Sequence, residues 1–369
     1  MSPRLVAAVL PPEPSSVELI ERVWAAGDAL LPLDPALPER ERSGLLSRMK
    51  PHVLLDGSEE VPLDDPAPVE DGTALVIGTS GTTGPPKGVV LGHAALEAAI
   101  GATNERVGAE QWERWLCCLP LAHIAGLMTI LRSRALGTEA IVHPRFDVDA
   151  IRSEARARFV SVVPTMLERL LDAGVDLSRF SRVLVGGAAV ADELIGRARD
   201  RGVDVSVTYG MSETSGGVVY DGVPLPGVDI ELDEIGRISI ASPTLMSGYR
   251  LDDDATARAL VDGRFVTQDR GTWDEQGLLR VLERLDRTII TGGKNVSPSE
   301  VEEALLAHPE VLRVIVRGEP DEAWGQRVVA EVVARDPARP PTAEDLRAFL
   351  RERISHYKIP DPIRLVPNG

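Results

Sequence analysis

Three observations predict an α/β protein. Through residues 15 to 210, apolar runs of strand length alternate with helix-length patches, the rhythm of a sheet whose strands are joined by covering helices. Several of those runs, "FVSVVP" and "RVLVGG" among them, end in Pro or Gly and lead into helical patterns; ligands collect at such carboxyl strand ends. From about residue 223 the pattern turns β-rich, and after Asp286 a smaller unit begins. The expectation is a large domain of α/β layers with a β-rich segment, residues 1–284, followed by a small α+β domain, residues 285–369.

In chain order, "SSVELIERVWAAG" and "ERERSGLLSRMK" read as helices, with "DALLPLD" and "HVLLD" as the strands between them. Residues 56 to 72 are acidic and proline-rich, which marks a surface loop. "TALVIG" and "GVVL" bracket a Gly/Pro-rich stretch and predict a strand, a loop and a returning strand. Helical periodicity follows in "HAALEAAIGATNERV". Further strands are expected at "WLCCLP", "AIVHP", "FVSVVP", "RVLVGG" and "VDVSVTYG", and helices at 124–136, 164–173 and 191–201. The β-rich part holds "VDIELDEIGRISIAS" and "FVTQDRGTWDEQGLLRVLER". The small unit holds "TIITGG", a helix at 298–307, "VLRVIVRG", "RVVAEVVA" and a helix at 342–354.

Composition narrows the function. The 369 residues suffice for two or three domains, and at 43% hydrophobic but 4% aromatic the core must be mostly Ala, Val, Leu and Ile. A net charge of −17 argues against nucleic acid and anionic membranes as partners. The two cysteines, Cys117 and Cys118, are neighbours, so they form no disulfide framework and read as small core residues in a reducing compartment. "LVAAVL" near the N-terminus is too short for a signal peptide, and no stretch approaches the ~18 apolar residues of a membrane helix. A cytoplasmic location is expected.

The stretch "TSGTTGPPKG", residues 79–88, carries the first chemical signal. Hydroxyls of Thr79, Ser80, Thr82 and Thr83 alternate with Gly81 and Gly84, a loop of donors suited to an anion, and Lys87 offsets the charge. A Walker A loop, G-x-x-x-x-G-K-[ST], is excluded. Counting from Gly81, its second glycine is Pro86, and Gly88 follows Lys87 where a hydroxyl is needed. Pro85–Pro86 also disfavours the helix such a loop opens into.

Four further stretches follow in order: "PLAHIAGL" (120–127), "YGMSET" (209–214), Asp269 in "FVTQDRG", and "ERLDRTIITGGKNVSPSEVE" (283–302). Together with the loop they resemble the adenylate-forming superfamily of acyl-CoA synthetases, adenylation domains and luciferases, over roughly residues 20 to 360. The resemblance implies a large adenylate-forming domain and a C-terminal lid. It implies two half-reactions: a carboxylate attacks the α-phosphorus of ATP, then a thiol attacks the acyl-adenylate and expels AMP. The cofactors implied are ATP, Mg²⁺ and coenzyme A.

The same resemblance implies the site. The 79–88 loop would clamp the β- and γ-phosphates, with the glycines at 81, 84 and 88 giving the flexibility pyrophosphate needs to leave. Tyr209 would stack on adenine, and Glu213, with Thr83, would hold Mg²⁺, for which a hard carboxylate oxygen is suited. Ser212 stands where the family usually has Thr. Gly186, Gly187 and Ala188 of "GGAAV" resemble the segment between adenine and the acyl group, and Gly210 and Met211 would line the acyl site. Asp269 would accept both ribose hydroxyls with Arg284 as its helper; Gln268 replaces the family's Gly before it. Read alone, His123 fits a helix cap or a core histidine, whereas the resemblance puts it at the acyl and phosphate gate. Asp286 would be the lid's hinge, and Gly292, Gly293 and Lys294 would approach CoA.

Short length, "LPLAHIAGL" and "YGMSETSGGVVYDGVPLPGV" resemble the o-succinylbenzoate–CoA ligases of menaquinone biosynthesis. Arg132, nine residues beyond His123, matches an arginine of those ligases and would neutralise the acid's second carboxylate. Read alone, it is an arginine favoured near a helix C-terminus by the dipole. The alternatives are a CoA ligase for another aromatic or medium-length acid, a stand-alone adenylation module that loads a carrier protein, and a non-catalytic nucleotide-binding relative. The partners implied are a small carboxylic acid, ATP and CoA, without nucleic acid or membrane insertion, and the resemblance leaves room for a homodimer.

The sequence departs from the family at both ends. The N-terminal subdomain of longer members is largely absent. The chain stops at "HYKIPDPIRLVPNG", before the Gly-Lys whose ammonium contacts the α-phosphate and substrate carboxylate, and Lys358 belongs to the preceding family element. Either the lysine follows residue 369, or, if residue 369 is the true terminus, slow adenylation is expected.

Overall fold

A computed structural model describes residues 3–57, 59–79, 86–285, 289–292, 294–321 and 324–367. Ser80, Gly81, Thr82, Thr83, Gly84, Asp286 and Gly293 lie outside the described residues. The fold is mixed α/β, as expected. It divides into one unit of Met1–Glu231, Ser239–Val266 and Asp274–Leu279, and another of Leu232–Ile238, Thr267–Trp273 and Arg280–Gly369.

The first unit contains two seven-stranded sheets. One runs, in spatial order, Gly248–Tyr249, Lys87–Gly92, Thr73–Thr79, Ala29–Leu33, Leu5–Val9, Val53–Asp56 and Glu59–Pro62. Its strand Leu5–Val9 pairs in parallel with a neighbour on each side. Val6 and Ala8 pack with Ile20, Leu96 and Leu127 from three helices, while Leu5 and Ala7 pack with Leu45 and Met49 of the helix Glu39–Met49. A parallel strand covered on both faces must be apolar at every position. That is why "LVAAVL", which shows no alternation, is a central strand and not merely a run too short for a signal peptide. The expected surface loop at 56–72 holds one short strand, Glu59–Pro62, fully exposed at the sheet edge, where charge discourages further pairing.

The second sheet runs Val223–Pro224, Gly216–Tyr220, Val205–Met211, Arg182–Val185, Phe159–Val162, Trp115–Cys117 and Ile141–Val142. The helices Val148–Ser153, Pro164–Asp172 and Asp192–Arg199 cover one face through Ile151, Leu167, Leu171 and Ile195. Helices His93–Val107 and Ile124–Ala135 contribute Leu96, Leu127 and Met128 to the core of the first sheet. Burial pushes the Cys117 and Cys118 thiols up to about 11 and about 12, as fits small core residues.

The β-rich segment forms a five-stranded sheet of Asp229–Leu232, Arg237–Ala241, Arg264–Trp273 and Leu260–Val261, with Leu279–Arg284 on Arg264–Trp273. The second unit has its own five-stranded sheet, in which Gly325–Ala334 pairs with Val311–Asp321, Ile289–Thr291 and Ile363–Leu365. Its core of Val301, Leu305, Val314, Val332, Leu346 and Leu350 includes residues of both covering helices, Pro298–Leu306 and Ala343–Arg351. The last helix ends three residues earlier than the expected 354. Two short helices, Val148–Ser153 and Asp253–Ala259, were not anticipated; each starts at an Asp whose side chain accepts from a backbone N–H, Asp147 from Ala150 and Asp252 from Ala255. No helix among the described residues is long and apolar enough to cross a membrane.

One helix start is set by backbone contact. The N–H of His123 donates to Pro120 O at 3.2 Å, and those of Gly126 and Leu127 donate to His123 O. A Cβ on Gly126 would sit 2.3 Å from Pro120 O and 2.9 Å from Leu119 O, so only glycine lets "PLAH" fold back on its own helix. Alanine in a helix interior usually gains ~0.5–1 kcal/mol over glycine. Gly126→Ala is expected to reverse that sign and lose ~1–3 kcal/mol by overpacking, read as a lower urea midpoint at unchanged slope.

Candidate active site

The two strands that bracket residues 80–85 pair as expected. Thr73–Thr79 and Lys87–Gly92 pair antiparallel with Thr79 opposite Lys87, and the Thr79 hydroxyl donates to Lys87 O at 3.3 Å. Gly88 does not serve flexibility: it is a buried strand residue opposite Gly78, and a side chain there would overlap Met49. Beside it, Arg250 is buried, its backbone N–H donating to Gly88 O at 2.7 Å. Its guanidinium donates to Met49 O at 2.9 Å and Pro68 O at 2.6 Å, closing the C-terminal end of the helix Glu39–Met49.

Glu213 stands in a single 3₁₀ turn, Ser212–Thr214, between the strands Val205–Met211 and Gly216–Tyr220. The turn is pinned from inside. The buried Thr214 hydroxyl accepts from Met211 N at 3.0 Å and donates to Gly216 O at 2.7 Å, and Ser215 donates to Thr244 O at 2.8 Å. A Cβ on Gly210 would lie 2.0 Å from Gly216 O, so this glycine is demanded by the hairpin itself. Tyr209, Met211, Ser212 and Glu213 are half-buried, and Met211 packs on the core cluster that includes Met128 and Ile124.

One side chain links the two motifs. The Tyr249 hydroxyl donates to Glu213 Oε1 at 2.9 Å, and the Lys87 ammonium lies 4.6 Å from the centroid of the same ring. Tyr249 belongs to the strand Gly248–Tyr249, paired with Val90 and Val89 next to Lys87. Nothing in "SGYR" marked it in the sequence. Among the described residues no group of three or more His, Cys, Asp or Glu could hold a metal ion. A lone carboxylate with one oxygen engaged does suit Mg²⁺, which binds through one or two carboxylates plus substrate phosphates.

Gly186, Gly187 and Ala188 follow the strand Arg182–Val185, which pairs in parallel with Val205–Met211. The "GGAAV" segment and Tyr209 therefore leave adjacent strands at their carboxyl ends, where ligands collect in α/β sheets. Gly187 and Ala188 are exposed.

His123 precedes the helix Ile124–Ala135 with its side chain exposed and no side-chain capping bond, so it is neither a core histidine nor a side-chain cap. Arg132 lies on the last turn of that helix but is buried, 5% exposed. Its guanidinium carbon is 5.1 Å from the Trp115 ring centroid, and it makes no ion pair among the described residues. Nε of Arg132, Oδ1 of Asn104 and Nε1 of Trp115 are all buried without a hydrogen bond among them. Asn104 Nδ2 donates to Arg132 O at 3.2 Å, and the Thr103 and Tyr220 hydroxyls are 3.1 Å apart nearby on the same helix and strand pair. Desolvation pushes the guanidinium below its ordinary pKa. A helix dipole favours exposed cations on a last turn; it does not account for a buried one. Asn104, on the buried face of His93–Val107, is a residue the sequence reading missed.

In the second unit, Asp269 is buried, with its N–H donating to Thr267 Oγ1 at 3.0 Å and the Arg284 guanidinium 3.6 Å from its Oδ1. Arg284 therefore lies beside Asp269. Lys294 is exposed, its ammonium 4.5 Å from the Tyr357 ring centroid, and Gly292 N donates to Trp324 O at 2.9 Å. Lys358 is engaged within its own unit, donating to both Glu300 oxygens at 2.6 and 2.7 Å.

Similarity to known proteins follows the same segments. The model of the AMP-binding enzyme family matches residues 56–250, and that of the AMP-binding enzyme C-terminal domain matches residues 300–368. A protein of Mycobacterium tuberculosis named probable 2-succinylbenzoate–CoA ligase is 41% identical over 313 residues, 81% of this chain and 80% of its own. The 2-succinylbenzoate–CoA ligase of Bacillus licheniformis is 35% identical over 322 residues, 80% of this chain and 66% of its own. Among solved structures, the o-succinylbenzoate CoA synthetase (MenE) of Bacillus subtilis, in complex with the acyl-adenylate intermediate OSB-AMP, superposes with a TM-score of 0.85 at 28% identity, covering 98% of this chain and 84% of that one. The Lys87 hairpin, the Glu213 turn and the helix carrying Arg132 all fall inside the first matched segment; on sequence and fold together, the chain belongs to the AMP-binding enzyme family.

Proposed function

We propose that this chain is an ATP-dependent acid–thiol ligase that forms an acyl-adenylate and then a CoA thioester, and that its acid is 2-succinylbenzoate, on the route to menaquinone. The observation that carries the choice of acid is the buried Arg132, which meets no carboxylate among the described residues. An unpaired buried cation costs several kcal/mol, of order 3–5 when a partner is missing. A diacid repays that cost by bringing its second carboxylate, which a monoacid cannot do. The names and the bound adenylate of the relatives support the same acid.

In the first half-reaction a carboxylate oxygen of the acid attacks the α-phosphorus, and pyrophosphate leaves with the P–O electron pair. Catalysis of such a transfer is mainly positioning and charge neutralisation. Lys87 meets phosphate charge, with Thr79, Ser80, Gly81, Thr82, Thr83 and Gly84 as the remaining clamp. Glu213, with Thr83, holds Mg²⁺, which supplies neutralisation of the phosphate oxygens. Tyr209 and the 186–188 backbone flank adenine, Asp269 with Arg284 takes the ribose, and Gly210, Met211 and His123 border the acyl group. In the second half-reaction the thiol of CoA attacks the acyl carbon and AMP departs. Gly292, Gly293 and Lys294 approach the thiol, Asp286 is the hinge, and the domains divide at residues 284 and 285. The reaction is assigned to the cytoplasm, where ATP and CoA are found.

Arg132→Ala is expected to raise the KM for succinylbenzoate at least ten-fold while leaving a benzoate-like monoacid within two-fold, on the roughly 1.5–3 kcal/mol of a charge-assisted contact. Equal losses for both acids would remove this acid from consideration. Glu213→Ala should abolish ATP–pyrophosphate exchange at low millimolar Mg²⁺ with the circular dichroism of the fold retained. Asp269→Ala should raise the ATP KM through two lost hydrogen bonds, each worth roughly 1.5–3 kcal/mol, and an unchanged ATP KM would show that the ribose is held elsewhere.

A further inference from the structure

We propose that Tyr249 is a positioning residue that keeps Glu213 and Lys87 charged but apart, so that each meets MgATP unpaired. The inference rests on the reading of Glu213 as the metal carboxylate. Lys87 and Glu213 are carried by different sheets of one unit, and among the described residues they form no ion pair with each other; each contacts Tyr249 instead. An ammonium and a carboxylate in reach of one another would pair, and the pair would occupy the oxygen that the metal needs and the N–H groups that phosphate needs.

Tyr249 prevents this with two different faces. Its O–H donates to Oε1 and sets the carboxylate's orientation, leaving Oε2 without a partner among the described residues. Its π face meets the ammonium, an attraction that consumes no N–H donor. The ring is well placed to hold a fixed geometry. Tyr249 is 9% exposed, its backbone pairs with Val89, and its N–H donates to Thr256 Oγ1 at 2.8 Å, which in turn donates to Asp252 O at 2.9 Å. A neutral donor also leaves the Glu213 charge intact, where an arginine or lysine in its place would cancel it.

The test measures binding without turnover. The affinities of Mn²⁺·ATP, and of ATP alone in EDTA, are determined for wild type, Tyr249→Phe, Tyr249→Leu and Glu213→Ala, with no acid present, by water proton relaxation and by calorimetry. Tyr249→Phe keeps the ring and loses the hydrogen bond; it should weaken Mn²⁺·ATP roughly ten-fold, the equivalent of ~1.4 kcal/mol, and leave ATP in EDTA and the melting midpoint unchanged. Tyr249→Leu, which also removes the ring beneath Lys87, should weaken ATP in EDTA as well. Tyr249→Phe with wild-type Mn²⁺·ATP affinity, or with equal losses for both ligands, overturns the role of Tyr249 when Glu213→Ala still loses the metal-dependent gain. Wild-type Mn²⁺·ATP affinity in Glu213→Ala overturns the metal assignment itself, and the role of Tyr249 with it.

Discussion

A hydrogen bond of 2.9 Å from the Tyr249 hydroxyl to Glu213 joins the two seven-stranded sheets where each delivers its motif. One sheet carries the Lys87 hairpin and the strand of Tyr249; the other ends in the turn that holds Glu213. Each motif is locally rigid, through antiparallel pairing on one side and the Thr214 hydroxyl on the other. Local rigidity cannot bring two sheets into register. That depends on the shared core between them, where Leu75, Val89 and Leu91 pack with Leu127, Met128 and Met211, and on a polar contact that has one workable geometry.

The Arg132 region shows the opposite economy. The protein buries a guanidinium Nε, an amide oxygen and an indole N–H without hydrogen-bond partners among the described residues. Stability alone would favour an apolar side chain at such a position, since a well-packed hydrophobe is often as good as or better than a buried ion. Trp115 offsets part of the cost through its ring. The remainder stays uncompensated on a helix whose other end displays His123, roughly 13 Å away along the axis. A site that leaves polar groups unpaired when empty also rejects ligands that cannot pair them, which is how buried polar groups discriminate most strongly.

Much of the architecture was legible. Helices at 93–107, 124–135, 164–172 and 298–306 lie within two residues of where periodicity put them, because amphipathic stripes on two-layer elements are a local signal. Short helices such as Asp253–Ala259 escaped: seven residues hold too few turns for a period to show, and they depend on an Asp cap. The strand Leu5–Val9 escaped because burial on both faces erases alternation. Of the candidate residues, Lys87, Tyr209, Glu213 and Asp269 were visible through their motifs, whereas Tyr249 and Asn104 carried no motif at all.

The sequence by itself determined the family, the order of the motifs, and the chemistry each residue type brings, since hydroxyls, carboxylates and a lysine around a Gly/Pro loop are properties of neighbouring residues. Tertiary structure decided which of those groups meet. Tyr249 stands 36 residues from Glu213 in the chain and hydrogen-bonds to it. Asn104 stands 28 residues from Arg132 and bonds to its carbonyl. Whether Arg132 is a surface cation at a helix end or a buried one without an acid is the same in sequence and opposite in energy. Only the packing of His93–Val107, Ile124–Ala135 and the second sheet chooses between them, because the cost of a charge is set by the dielectric around it and not by its position in the chain.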